Sequence, residues 1–160
     1  MPWFEDIEVG TRTELGTYTF TEEEIVAFAR KYDPQVFHTD PEAAKAGPFG
    51  GLVASGWHTT ATWMKMMIRA RTGREEPADA DGRKPPAGGP SPGFLDLKWP
   101  TPVRPGDRIS YSSTVSEKLD MRSRPDWGIV RSHNVGVNQN GETVLTFTGQ
   151  GLVQRRNPAK

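Results

Sequence analysis

The chain has no cysteine, which excludes disulfides, thiol catalysis and thiolate metal sites and fits a reducing, cytoplasmic setting. It has no excess of charge either. Lys and Arg number 20 and Asp and Glu number 20, so the basic footprint that nucleic-acid binding needs is missing. Histidine is scarce: three scattered His with no Cys beside them make a poor ligand set for a metal. No apolar run approaches membrane-spanning length. The opening residues, MPWFEDIEVG, are acidic where a secretory leader is basic and apolar. These gaps leave a soluble cytoplasmic protein, with neither nucleic acid nor membrane as partner, as the expectation.

What is present is turn-rich. The 160 residues include 17 Gly and 14 Pro, and hydrophobic residues make up 34%. The length suits one domain spanning 1–160, and the modest apolar content suggests that a second subunit completes some of its buried surface.

Along the chain, Thr11 to Phe20 (TRTELGTYTF) has the Thr and aromatic content of a strand, with Gly16 placed to form a bulge. Thr21-Glu22-Glu23-Glu24 has capping-box spacing and opens a helix whose apolar stripe is Ile25, Phe28, Ala29 and Tyr32. Pro34 ends that helix at Tyr32-Asp33. Asp40-Pro41 reads as the N-cap and first position of a short helix, PEAAKA. Ser55-Gly56 then opens a long helix to about Arg71, closed by Gly73 and expected to bury Trp57, Ala61, Met64, Met67 and Ile68, with Trp63 and Met66 widening the stripe. Residues 73–93 are charged, Pro-rich and Gly-rich, and read as a mobile surface excursion in preference to an ordered lid. Strands are expected at Phe94 to Trp99, Arg108 to Lys118, Gly128 to Asn138 and Glu142 to Gln154, with Asn140-Gly141 turning a hairpin. One buried helix and about five antiparallel strands make an α+β domain, a curved sheet wrapped around a central helix. A homodimer is the expected way to cover its exposed sheet edge.

The chemistry concentrates in YDPQVFHTDPEAAKAGPFGGLVASGWHTT, Tyr32 to Thr60. Asp33 and His38 stand five residues apart in a proline-broken loop, and a carboxylate beside an imidazole can move a proton. The first N–H groups of the following helix have no partner within it, so the Ser55-Gly56 start can hold a developing oxyanion. Each feature has a plainer meaning as well. Asp33 before Pro34 forms turns, His38 can be a packed loop residue, and Gly56 is equally a close-packing glycine. His58 and His133 read as structural, Arg104 and Asp107 in PVRPGD as turn residues, and the Trp and Met stripe of the long helix as core.

The same stretch resembles the hydratase motif of the MaoC-like, (R)-specific enoyl-CoA hydratase family, a hotdog fold. That motif runs G-D-x-N-P-L-H, then D, A and F, then H-G before the central helix, and Asp33 and His38 occupy its acid and imidazole positions. FEDIEVG near the start, PVRPGD at 102–107 and SRPDWGIV at 123–130 are similar to segments of short members, so the likeness covers nearly the whole chain. Departures are Tyr32 for the motif's glycine, Pro34 directly after Asp33, Val36 in the proline slot and Ser55 in place of the histidine.

The resemblance implies reversible addition of water to a trans-2-enoyl-CoA thioester. Asp33 and His38 would activate the water, with the N–H of Gly56 and the neighbouring Ser55 at the oxyanion and substrate side. It implies no cofactor, coenzyme A entering as part of the substrate. Arg69, Arg71, Arg74, Arg122 and Arg124 are available to its phosphates without one of them standing out. Two other functions share the fold: an acyl-CoA thioesterase, which needs no Asp/His pair in this loop, and a non-catalytic acyl-CoA-binding subunit, in which the pair would be idle.

Overall fold

The computed structural model describes residues 2–72, 78, 80–84 and 88–158. Its strands are β1 (Arg12–Thr19), β2 (Gly93–Lys98), β3 (Arg108–Asp120), β4 (Trp127–Val137) and β5 (Thr143–Gln154). They form one antiparallel sheet in the order β1-β3-β4-β5-β2. The helices are α1 (Glu22–Tyr32), α2 (Val36–Thr39), α3 (Pro41–Ala44) and α4 (Gly56–Arg71). The sheet wraps α4, the hotdog arrangement. Trp63 and Met66 of α4 meet Ile109, Tyr111, Leu145 and Phe147 of the sheet and Phe20 and Ile25 around α1 in one core.

Local chemistry accounts for the elements. In β1 the register slips between Glu14 and Gly16. Gly16 has φ +105°, and a Cβ there would lie 2.9 Å from the Met66 methyl, so the bulge expected at this glycine lets the sheet approach α4 closely. Thr21 Oγ1 accepts the Glu24 N–H at 3.2 Å, capping α1. The last turn of α1 closes with Asp33 N–H donating to Ala29 O at 2.8 Å. In the hairpin, Asn138 Oδ1 accepts the N–H groups of Asn140 and Glu142, and Gly141 supplies φ +81°. Tyr111, fully buried, donates its hydroxyl to Thr59 O at 3.1 Å and so pins the first turn of α4 to β3.

Three expectations change. The helix α4 is turned from the expected phase: it buries His58, Thr59, Thr62, Trp63 and Met66, while Trp57, Ala61, Met64 and Ile68 face out and Met67 is only partly covered. Threonines take the sheet-facing side because their hydroxyls can return to the helix, as Thr59 Oγ1 does to Ser55 O at 3.4 Å. Tyr32 also leaves its stripe and is exposed. In β2 the strand expected at Phe94 to Trp99 does not alternate inward and outward, since Phe94 and Leu95 are both exposed. Asp96 there adopts φ +54° within a register shift between Leu95 and Lys98, and such a bulge turns successive side chains off the two-residue period.

Of the 73–93 excursion, 73–77, 79 and 85–87 lie outside the described residues, and with them Gly73 as helix stop and Arg74. Its return is tied down. Gly89 N–H donates to Leu152 O at 3.0 Å, and Leu152 N–H to Pro90 O at 3.2 Å.

Candidate active site

Pro34 stops α1 and leaves Asp33 as its C-cap with a non-helical backbone, φ −151° and ψ 68°. The next four residues able to turn, Val36 to Thr39, form the single-turn helix α2 in place of the expected loop, and His38 rides on it. Asp40 ends α2 and caps α3 at once, its Oδ1 accepting the N–H groups of Glu42 and Ala43 at 3.0 Å each. This rigid corner packs against the segment leading into α4. Val53 N–H donates to Phe37 O at 3.1 Å, and Val53 O lies 2.7 Å from His38 Nδ1. Arg104 holds the intervening turn from outside by donating to Phe49 O at 2.7 Å, a task beyond its expected place in the PVRPGD turn. Within that turn, Arg104 N–H donates to Asp107 Oδ2 at 2.7 Å.

The hydrogen bond to Val53 O fixes the imidazole. A carbonyl only accepts, so Nδ1 carries the proton and Nε2 of the neutral ring is a bare acceptor. His38 Nε2 lies 3.4 Å from Asp33 Oδ2. Two acceptors thus face one another across a gap that a third group carrying protons can bridge. Asp33 Oδ2 also accepts the Ser55 hydroxyl at 2.7 Å, and its Oδ1 accepts the Gln35 amide at 2.8 Å. Partial burial pushes the Asp33 carboxyl up. The hydrogen bonds from Ser55 and Gln35 outweigh it, joined by the attraction to His38 whenever that imidazole is protonated, and hold the group below its ordinary value.

Ser55 is fully buried and its hydroxyl is spoken for on both sides, donating to Asp33 and accepting the Trp57 N–H at 3.2 Å. It is therefore the N-cap of α4 and a positioner of Asp33 in one atom. The structure brings Asp33, His38 and Ser55 together, with Gly56 the next residue along. Gly56 packs under the Trp99 indole, where a Cβ would lie 2.3 Å from Cδ2. Trp99 is itself anchored through Nε1–H to Thr60 Oγ1 at 3.1 Å. The close-packing reason for this glycine is thus plain, and its N–H, at the first position of α4, has no partner among the described residues.

Sequence reasoning missed Gln35 and Trp99. Gln35 carried a usable signal, an amide two residues beyond the acid. Trp99 carried none, because nothing local ties it to a glycine 43 positions earlier. His133 sits on β4, paired with Thr114 and Thr148 and away from this constellation. Among the described residues no cluster of three or more His, Asp or Glu is arranged to hold a metal, and no helix is long and apolar enough to cross a membrane.

Sheet and central helix define a hotdog protein, with an acid–imidazole pair beside the start of that helix. The chain belongs to the MaoC-like dehydratase and hydratase family: residues 6–135 match the MaoC like domain. A MaoC-like dehydratase from Rhodospirillum rubrum superimposes with a TM-score of 0.81 at 38% identity, covering 98% of this chain and 99% of that one. The 3-hydroxyacyl-thioester dehydratase Z of Mycobacterium tuberculosis is 33% identical over 98 residues, 61% of this chain and 58% of that protein. The mesaconyl-CoA hydratase of Cereibacter sphaeroides is 36% identical over 67 residues, 42% of this chain and 19% of that protein. The chain thus covers less than two thirds of these curated relatives' own lengths.

Proposed function

We propose that the protein adds water reversibly to the double bond of a trans-2-enoyl-CoA thioester. The observation that carries this reading is the pair of facing acceptors, Asp33 Oδ2 and His38 Nε2, 3.4 Å apart with the imidazole tautomer set by Val53 O. A water molecule donating one O–H to each is held with its lone pair free. As it attacks C3 of the enoyl group, one proton passes to the pair, and a proton is returned to C2; hydroxyl and hydrogen are both accounted for. Charge builds on the thioester oxygen as an enolate. The unpartnered Gly56 N–H, at the positive end of α4, is the donor for it. Ser55 keeps Asp33 ionised and aimed through this cycle.

Loss of the conjugated thioester absorbance of a short enoyl-CoA is the assay. Asp33→Asn and His38→Ala are expected to be folded and inactive; full activity in either sinks the assignment. A panel of enoyl-CoA thioesters then separates straight, branched, dicarboxylic and aromatic acyl groups.

The same reading takes residues 1–160 as one domain and pairs two copies. Trp57, Met64 and Ile68 on the outer face of α4 and Phe94, Leu95 and Trp99 around β2 are each at least 40% exposed. That much apolar surface is what a homodimer covers. A monomer by light scattering at micromolar concentration contradicts it.

A further inference from the structure

His58 belongs to none of the roles above, yet it is nearly as buried as His38, at 8% exposure. It lies in the first turn of α4, three residues past Ser55. Its ring stacks on Phe28 of α1 with centroids 4.5 Å apart and planes within 6° of parallel, and Phe20 meets it edge-on at 5.0 Å. Phe28 in turn packs on Tyr32 at 4.9 Å, and Tyr32 is the last residue of α1, directly before Asp33. The helices α1 and α4 are therefore tied at two places. One tie is polar, Ser55 Oγ to Asp33 Oδ2 at 2.7 Å. The other is aromatic, His58 on Phe28. The buried Ile25 and Ala29 hold the core face of α1 and the hydrogen bond holds its tip, while the stack on Phe28 holds the stretch leading to Asp33 directly against α4.

We infer that His58 is a positioning residue: its ring face, stacked on Phe28, fixes the C-terminal end of α1 so that Asp33 stays within reach of His38 and the start of α4. The ring acts through its face, since His58 Nδ1 is buried with no hydrogen-bond partner. Phenylalanine can therefore replace it in this role, and alanine cannot. The inference rests on the reading of Asp33 and His38 as the water-activating pair. A purely structural histidine would alter stability and leave turnover alone once the protein is folded. A positioning one alters turnover.

The test compares wild type, His58→Ala and His58→Phe by kcat and KM on a short enoyl-CoA, and by the ring C–H resonances of His38, which sense the Asp33 carboxylate without any need for activity. His58→Ala is expected to lose about tenfold or more in kcat with KM within about twofold, a displacement of the reacting groups rather than of the substrate. Its His38 resonances shift, and His58→Phe restores both. Wild-type kcat and unmoved His38 resonances in folded His58→Ala overturn the inference, and so does a His58→Phe variant as impaired as His58→Ala. If His58→Ala does not fold, Phe28→Leu removes the stack from the other helix: a shifted His38 signal with lowered kcat supports the inference, and wild-type behaviour overturns it. A wild type inactive on every enoyl-CoA, whose His38 resonances still shift in His58→Ala and return in His58→Phe, refutes the hydration reading and leaves the positioning role standing.

Discussion

His38 and His58 are two imidazoles at nearly the same depth, 6% and 8% exposed. The first has a backbone carbonyl on one nitrogen and a carboxylate facing the other. The second has aromatic faces and an unpartnered nitrogen. Burial strips water from both, so what separates the two rings is the set of dipoles left behind. For His58, burial dominates: it pushes the pKa from its ordinary 6.5 down to about 4, with Glu24 pulling upward and Lys65 adding to the fall. That ring stays neutral at any pH near 7.

The sharpest way to break the contrast is to remove the polar pocket. Asp33→Asn or His38→Ala should cost about 10²–10⁴-fold in kcat, the range of a lost general acid–base group. Ser55→Ala keeps the pair and deletes the proton that steadies it. A hydrogen bond to a charged group is worth about 1.5–3 kcal/mol, so a loss on the order of tenfold to a hundredfold is expected in the same assay.

The apolar pocket is probed by stability. Between pH 6.5 and about pH 4 the unfolded chain binds a proton at His58 and the folded chain does not, so stability falls as pH drops through that window and levels off below it. The full loss is on the order of 3 kcal/mol. Urea midpoints at about pH 7.5 and about pH 5 should show the fall in wild type, and His58→Phe should remove the His58 part of it. Gly56→Ala alters neither imidazole and crowds the start of α4 against Trp99. With a Cβ 2.3 Å from the Trp99 ring, it should cost about 1–3 kcal/mol by overpacking, read as a lowered urea midpoint.

Local chemistry made much of this legible beforehand. The Thr21 cap, the break at Pro34, the Asp40-Pro41 start and the Asn140-Gly141 turn each depend on residues within a few positions, and each stands where the sequence indicated. The phase of α4 was not legible, because apolarity alone favoured Trp57, Met64 and Ile68 over His58, Thr59 and Thr62. Only the sheet, through Tyr111, decides which side must be narrow and which polar atoms find partners. The site shows the same division. Asp33 and His38 were marked by type and spacing together with the family motif they resemble. The bond from Ser55 to Asp33, the Val53 carbonyl on His38 and the Trp99 indole on Gly56 are long-range contacts that no local pattern encodes.

The paired hydrogen bonds between Gly89–Pro90 and Leu152 act as a mooring for the long excursion. They re-establish the chain on β5 three residues before β2 begins. β2 therefore enters the sheet from an anchored start, its register set by β5 and not by the chain that leads to it.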